Sequence, residues 1–115
     1  MEEIKVGNFV RLNDGTIGKY QINKNWINVV ETNNKYIGFD IEKDILKHSS
    51  NIIDLIEIDD YVNGKKVIGK FYEENLKVLV LDTKLNAKCR SKDIKTIVTK
   101  EKYMANCYKV GGEDE

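Results

Sequence analysis

The chain of 115 residues has no proline, one histidine, two cysteines and only two arginines, Arg11 and Arg90. With one imidazole, at His48, a metal site that needs two histidines is excluded, and no Cys-x-x-Cys, Gly-x-Ser-x-Gly or glycine-rich phosphate-loop motif occurs. The spacing of Cys89 and Cys107 matches neither a disulfide framework nor a zinc motif. We therefore expect no enzyme, no catalytic residue, no metal and no cofactor, with both cysteines as small core residues.

Long apolar runs and a surplus of charge are also missing. No segment approaches the roughly 18 apolar residues of a membrane span, and the acidic N-terminus, MEEIKVGNF, lacks the apolar region of a signal peptide. Nineteen basic residues balance nineteen acidic ones, whereas proteins that bind nucleic-acid backbones usually have a basic surplus. These features predict a cytoplasmic protein without membrane contact, and they weigh against nucleic acid without excluding a local basic patch.

What the chain does contain is typical of a folded protein: 41% of its residues are hydrophobic and 33% are charged. Lysine, asparagine and isoleucine are abundant, which we interpret as the codon bias of an AT-rich genome, from a low-GC bacterium or its phage. Because nearly all basic residues are lysines, only Arg11 and Arg90 are available for bidentate recognition of phosphate or guanine.

Two stretches have nearly the same pattern, IKVGNFVRLNDGTIGKY at 4–20 and IEIDDYVNGKKVIGKFY at 56–72. A three-residue deletion aligns Asn63-Gly64 with Asp14-Gly15, and the register continues to the tripeptide KDI at 43–45 and 92–94. This pattern predicts two copies of one unit, packed as one rigid body because 51–58 contains no flexible spacer. The predicted organisation is 1–55 for the first copy, 56–104 for the second, and 105–115 for a C-terminal strand and acidic tail.

The predicted secondary structure is mainly β. Both Asp14-Gly15 and Asn63-Gly64 indicate type I′ hairpins, and alternating β-branched residues predict strands at 8–13, 16–22, 25–31, 36–42, 60–62, 65–72, 76–81 and 85–90. A 3₁₀ turn at each KDI is expected to precede a last strand, at 51–56 and at 95–98. Thr99 is the expected cap of a short helix that runs to about residue 106 and covers a barrel end with Tyr103 and Met104.

Five short strands, an early hairpin and a helical turn before the fifth strand resemble an SH3-like barrel of the KOW or Tudor kind. The motif x-V-G-[DN]-[FY]-V-x-x-x-D-G-x-I-G-K is similar to the start of such barrels. The resemblance implies two tandem duplicated SH3-like small β-barrels with a short C-terminal helix. One copy alone buries only about 60% of its unfolded surface, so the barrels are expected to pack together. Separate barrels, shared strands, a monomer and a homodimer all stay open.

The stretches HSSNIIDLIEIDDYVNGKKV at 48–67 and DIKTIVTKEKY at 93–103 resemble small accessory proteins encoded by phages and prophages of low-GC bacteria. They contain no catalytic motif. The resemblance implies a phage accessory gene that acts in the cytoplasm of a bacterial host, and it supplies no functional residues.

Candidate binding residues come from charge and aromatic pattern. The segment 84–102 has seven basic and two acidic residues, and alternation places Lys88, Arg90 and Lys92 on one strand face, with Lys95 nearby. A solvated strand face is the alternative. Trp26 follows a polar turn, where a binding surface shared with Tyr36 and core packing are both open. The adjacent acids Asp59 and Asp60 are expected to shape the start of a strand.

These observations predict a non-enzymatic module that binds a host protein, such as an anti-CRISPR-type inhibitor that occupies the surface of a nuclease in a bacterial defence system. One alternative is a nucleic-acid-binding protein that uses the basic segment 84–102. A third is a sponge for small nucleotides, for which the cleft between the barrels is the natural site.

Overall fold

The computed structural model describes residues 4–25, 27–33 and 35–105, which form two antiparallel five-stranded sheets. The first sheet has the order β4-β3-β2-β1-β5 and the second has the order β10-β6-β7-β8-β9. The strands of the first sheet are β1 (Phe9–Leu12), β2 (Ile17–Ile22), β3 (Asn28–Glu31), β4 (Tyr36–Gly38) and β5 (Ile45–Ser49). Those of the second are β6 (Tyr61–Val62), β7 (Lys65–Glu73), β8 (Leu76–Leu81), β9 (Lys88–Arg90) and β10 (Ile97–Val98). The predicted mainly β architecture is confirmed.

Both sheets are open. In each sheet the fifth strand along the chain pairs with the first, as in the pairs Phe9 with Ser49 and Val62 with Ile97. Over the described ranges no pairing joins β4 to β5 or β9 to β10. Since β4 and β9 have three residues each and β10 has two, these outer strands offer few backbone groups for a closing ladder. The prediction that the strands form barrels is therefore wrong, because neither sheet closes on itself.

The two hairpins differ in their turns. Asn63 and Gly64 have φ values of +54° and +82°, as the predicted type I′ turn requires. In the first hairpin Gly15 has φ of +92°, but Asp14 is not among the positive-φ residues, so the predicted type I′ turn is wrong there. Its carboxylate instead accepts from the Thr16 N–H at 2.9 Å, a local hydrogen bond that aspartate favours in turns.

The segment 51–56 forms a 3₁₀ helix (Ile52–Leu55), not the predicted last strand of the first unit. Asn51 caps this helix, because its side-chain oxygen accepts from the Ile53 N–H at 3.3 Å. Ile53 and Ile56 pack into the core of the second sheet. The last strand of the first sheet is instead β5, which pairs with β1 on the side opposite β2. It begins at Ile45, where a 3₁₀ turn was expected. In the second sheet a 3₁₀ turn does precede β10, at Ser91–Asp93.

Each sheet has its own hydrophobic core. The first core consists of Ile4, Val10, Leu12, Tyr20 and Val30, with Phe39, Ile41 and Ile45 packed against it. The second consists of Ile53, Ile56, Val62, Val67, Leu79, Leu81 and Cys89, with Ile94 and Ile97 packed against it. Because each fully buried aliphatic side chain contributes about 1.5–3 kcal/mol, both cores contribute substantially to stability.

The predicted C-terminal helix is α1 (Lys100–Ala105). Its expected cap is confirmed, since Thr99 Oγ1 accepts from the Lys102 N–H at 3.4 Å and also donates to the Gly15 carbonyl at 2.8 Å. The helix therefore lies against the first hairpin. Tyr103 and Met104 stay 45% and 51% exposed, so they do not cover a barrel end as expected. The predicted C-terminal strand and acidic tail lie outside the described residues.

The helices of the described ranges are all short: the longest, α1, has six residues. None of them has the length and apolar character needed to cross a membrane.

Candidate functional site

Charged side chains join the two sheets where β1, the start of β6 and α1 meet. Arg11 of β1 is fully buried and donates to the Asp60 carboxylate at 2.5 and 3.0 Å and to Glu101 Oε1 at 2.7 Å. Asp60 is also fully buried, and it accepts from the backbone N–H groups of Glu57 at 2.7 Å and Lys100 at 2.9 Å. One carboxylate thus links both sheets and the helix.

Glu57 extends this network. Its carboxylate lies 2.9 Å from Lys100 Nζ, 3.2 Å from Lys47 Nζ and 3.8 Å from Arg11 Nη2. Burial acts to lower the pKa of Arg11, but the Asp60 and Glu101 carboxylates raise it above its ordinary value. We name this network the junction cluster: Arg11, Lys47, Glu57, Asp60, Lys100 and Glu101. Its ion pairs connect β1 and β5 of the first sheet with the start of the second sheet and with α1. Its three cations balance its three carboxylates, so the cluster has no net charge.

Acid is expected to weaken the junction cluster through Glu57. Burial acts to raise the pKa of Glu57, but hydrogen bonds from Lys100 and Lys47 and the charge of Arg11 lower it to about 2, from an ordinary value of 4.5. The resulting stabilisation is present above about pH 4.5 and is lost as the pH falls toward 2. We expect the urea-unfolding free energy of the wild type to fall over this interval by on the order of 2 kcal/mol more than that of Glu57→Gln.

The matched control is Glu42→Gln, because Glu42 takes part in no ion pair within the described part of the chain. Its unfolding free energy is expected to follow the wild-type pH dependence. If Glu57→Gln kept the wild-type slope between pH 4.5 and pH 2, the assigned role of Glu57 would be wrong.

The predicted basic strand lies on the outer face of β7, β8 and β9. Cross-strand pairing puts Phe71 in one row with Arg90, Val80 in the next with Lys88, and Leu76 opposite Glu73. We name this surface the β9 face and define it by five residues: Phe71, Glu73, Leu76, Lys88 and Arg90. The opposite face of the same strands contains Leu79 and Cys89 of the second core.

The cations of the β9 face are not free. The Arg90 guanidinium donates to the Glu73 carboxylate, and Lys88 Nζ lies 3.4 Å from the same carboxylate and 5.6 Å from the centroid of the Phe71 ring. The hydrogen bonds from Arg90 and then Lys88 lower the pKa of Glu73. Leu76 beside them is 63% exposed. An arginine, an aromatic ring and an exposed leucine together are more typical of a protein interface than of a phosphate groove.

Lys92 does not share this face, so that part of the sequence prediction is wrong. β9 ends at Arg90, whose backbone N–H donates to the Asp93 carboxylate at 3.2 Å as the 3₁₀ turn begins. Lys92 is exposed on this turn and Lys95 is exposed beyond it. The structure therefore brings together Lys88 and Arg90 and separates the two other predicted cations from them.

Of the two predicted aromatic residues, Tyr36 belongs to the other sheet. Tyr36 begins β4, an outer strand of the first sheet, and its side chain is 67% exposed. Trp26 lies outside the described residues, so the shared surface of Trp26 and Tyr36 stays a prediction. Tyr36 and the β9 face are thus two different candidate surfaces.

A cleft of about 580 Å³ separates the first sheet from the end of the second. We name it the inter-sheet cleft. One wall carries Phe9, Lys19 and Glu31, and the other carries Ile94, Lys95 and Ile97. This is where a small ligand was expected from the sequence, between the two units.

A second cavity of about 550 Å³ lies beside α1 and is lined by Tyr61, Lys66, Tyr103 and Met104, among others. The rings of Tyr61 and Tyr103 stack with their centroids 4.5 Å apart, and the hydrogen bond between the two side chains raises the pKa of Tyr61. The cavity exposes aromatic and thioether surface next to the junction cluster.

Reactive side chains are not grouped in the part of the chain that the structure describes. No set of three or more histidine, cysteine, aspartate or glutamate residues there is placed to hold a metal ion. Cys89 is buried, and burial raises the pKa of its thiol, which keeps it protonated and unreactive. His48 lies near the end of β5 in the other sheet, and Cys107 is outside the described residues.

Sequence reasoning identified Lys88 and Arg90 but missed Glu73, the carboxylate that lies between them. It also missed the buried pair of Arg11 and Asp60 in the junction cluster. The ion pairs that these residues form span 15 to 90 positions, so no local spacing in the sequence predicts them. Comparison of the chain with protein-family models, with curated proteins and with solved structures finds no match.

Proposed function

We propose that this chain is a non-enzymatic, phage-encoded protein-binding module that occupies the surface of a host protein through the β9 face. An anti-CRISPR-type inhibitor of a bacterial defence nuclease is its proposed specific form. The observation that carries the proposal is the pairing of Lys88 and Arg90 with one carboxylate, Glu73, beside Phe71 and the exposed Leu76. Arginine and aromatic side chains are enriched among residues that dominate the energetics of protein interfaces.

We also infer that the two sheets are two copies of an SH3-like unit. The same relative strand order, a hairpin glycine at the same place and a separate core for each sheet support this interpretation. The copies differ where the β9 face lies: Tyr20 is buried in the first core, while its sequence counterpart Phe71 is half-buried beneath Lys88. This difference supports a binding role specific to the second copy.

Nucleic-acid binding through 84–102 is the second candidate. Lys84, Lys92 and Lys95 are exposed, and within the described residues none of the ion pairs includes them, which favours this candidate. Against it, neither arginine is free, since Arg11 is buried in the junction cluster and Arg90 is paired. Bidentate readout of phosphates or guanine depends on such guanidinium groups.

The test starts with capture of partners from host lysate on the immobilised full chain, and continues with titration of each purified partner. Arg90→Ala and Leu76→Asp are each expected to weaken binding at least about tenfold, as central interface residues do. Leu46→Asp is the control, because Leu46 is 44% exposed on β5 of the other sheet. It is expected to change the dissociation constant less than about twofold.

Two outcomes contradict the proposal. One is that no partner stays bound at about 0.15 M salt; the other is that Leu46→Asp and the β9-face variants weaken binding equally. Titration of mixed-sequence duplex DNA and RNA decides the second candidate. Affinity that falls steeply with salt, and falls further in a Lys84/Lys92/Lys95→Ala variant, would support it and displace the first.

A further inference from the structure

We propose that the inter-sheet cleft binds a small amphipathic anion, an aromatic ring that carries a phosphate group, of which a nucleoside monophosphate is the representative. The proposal does not rest on the protein-binding role, because the cleft and the β9 face share no residue. Its volume of about 580 Å³ lies within the usual range of small-molecule sites, roughly 300–1,000 Å³.

Each wall of the cleft carries apolar side chains. Phe9 and Ile17 line the cleft from the first sheet and Ile94 and Ile97 line it from the second unit. All four side chains are half-buried, although Ile94 and Ile97 also pack against the second core. Phe9 supplies an aromatic face, on which planar rings stack. A flat ring between Phe9 and the two isoleucines removes apolar surface of both sheets from water.

The rim of the cleft is cationic. Lys19 and Lys95 are exposed, one on each wall, and neither takes part in any of the ion pairs found within the described ranges. Lys19 Nζ lies 5.8 Å from the centroid of the Phe9 ring, so its charge stands above the proposed ring site. Among the described residues that line the cleft, the one carboxylate is that of Glu31, whose Oε1 accepts from Gln21 Nε2 at 3.2 Å.

These features together determine the ligand class. Two lysines against one engaged carboxylate favour an anion, and lysine binds phosphate as a point charge without demanding bidentate geometry. Neutral donors and acceptors at the rim, Thr32, Asn33 and Thr96, suit the hydroxyl groups of a sugar. An anion without a ring leaves the apolar side chains of the cleft exposed to water. A ring without an anion leaves the ammonium groups of both lysines without a counter-charge.

The test is isothermal titration of the full chain with adenosine 5′-monophosphate, adenosine and inorganic phosphate in parallel. We expect the monophosphate to bind and the other two probes to bind at least about tenfold more weakly, since each lacks one half of the recognised chemistry. Lys19→Gln and Lys95→Gln are each expected to lower the affinity about fivefold or more. Both lysines are exposed, so thermal unfolding should show that the variants fold normally.

The matched control is Lys92→Gln, an exposed lysine three positions before Lys95 that does not line the cleft. It should leave the affinity within about twofold of the wild type. The proposal is overturned by any of three results: no binding of the monophosphate at millimolar concentration, equal losses in all three lysine variants, or inorganic phosphate that binds as tightly as the monophosphate. The first and third results would rule out the proposed class of ligand. The second would mean that the lysines act only through general electrostatic attraction and not through a specific site.

Discussion

Replacing Asp60 with asparagine is expected to lower the free energy of unfolding by about 3–5 kcal/mol, as loss of one partner of a buried ion pair does. Arg11 and Asp60 are both fully buried, so the substitution leaves a guanidinium in the interior without its bidentate partner. Domains of this size are stable by about 5–15 kcal/mol, and the change therefore removes a large fraction of the total. Urea unfolding followed by circular dichroism measures it.

The neighbouring substitution Asp59→Asn is the control. Asp59 has φ of +80°, which asparagine tolerates. Among the described residues its one ion pair is to Lys66, at 3.9 Å on the surface. We expect a change within about 1 kcal/mol. If Asp60→Asn were equally mild, the Arg11–Asp60 pair would not be what holds the sheets together.

A double-mutant cycle separates the pair from the other contacts of Asp60. In the background of Arg11→Met, Asp60→Asn is expected to cost at least about 1 kcal/mol less than in the wild type, because the buried cation is already gone. The full cost should not vanish, since Asp60 also accepts from the N–H groups of Glu57 and Lys100.

Gly15→Ala is the second substitution with a large expected effect. Gly15 has φ of +92°, and a Cβ atom there would lie 2.4 Å from Thr99 Oγ1 and 2.9 Å from Glu101 Cβ. The alanine therefore adds backbone strain of about 1–2 kcal/mol and forces the capping threonine and the first turn of α1 away from the hairpin. Hydrogen exchange of the α1 amides should become faster as the helix undocks.

Gly64→Ala is a closely matched control for this prediction. Gly64 is the hairpin glycine of the second sheet, with φ of +82° and no atom of the described residues within 4 Å of the added Cβ. It should show the strain alone, about 1–2 kcal/mol, with normal protection of α1. We expect Gly15→Ala to cost at least about 2 kcal/mol more than Gly64→Ala; equal costs would mean that α1 is not packed on the first hairpin.

Both predictions bear on function, because they test the contacts that join the second sheet and α1 to the first sheet. The β9 face is formed by strands of the second sheet alone, whereas the inter-sheet cleft is lined by residues of both sheets and depends on their relative position. A variant that weakens the junction cluster is therefore expected to reduce nucleotide binding more than partner binding. This contrast distinguishes the two proposed sites within one protein.

The strands were predictable because their signals are local. Alternation of apolar residues, the Asn63-Gly64 turn and the Thr99 cap act over a few positions, and all three appear in the structure where expected. The segment 51–56 misled the same reasoning, since its β-branched residues suit a strand. Its helix is set by the Asn51 cap and by burial of Ile53 and Ile56 against the second sheet.

The candidate sites were predictable only in part. Lys88 and Arg90 stand out in the sequence as alternating cations, but their charge is controlled by Glu73, which is 17 positions from Arg90. Lys92 fails to join them because a hydrogen bond to Asp93 ends the strand first. Lys19 was not singled out at all, since its place at the cleft depends on how the two sheets face each other.

The sequence by itself determined that this protein is built mainly from short antiparallel strands with a capped helix after them, because turn chemistry and side-chain alternation act between neighbours in the chain. The tertiary structure alone decided that the sheets stay open, that Arg11 is buried against Asp60 and Glu101, and that two lysines flank an apolar cleft. Ion pairs between residues that are 49 and 90 positions apart produce no periodic pattern in the sequence. They form only when tertiary packing brings the two charges together.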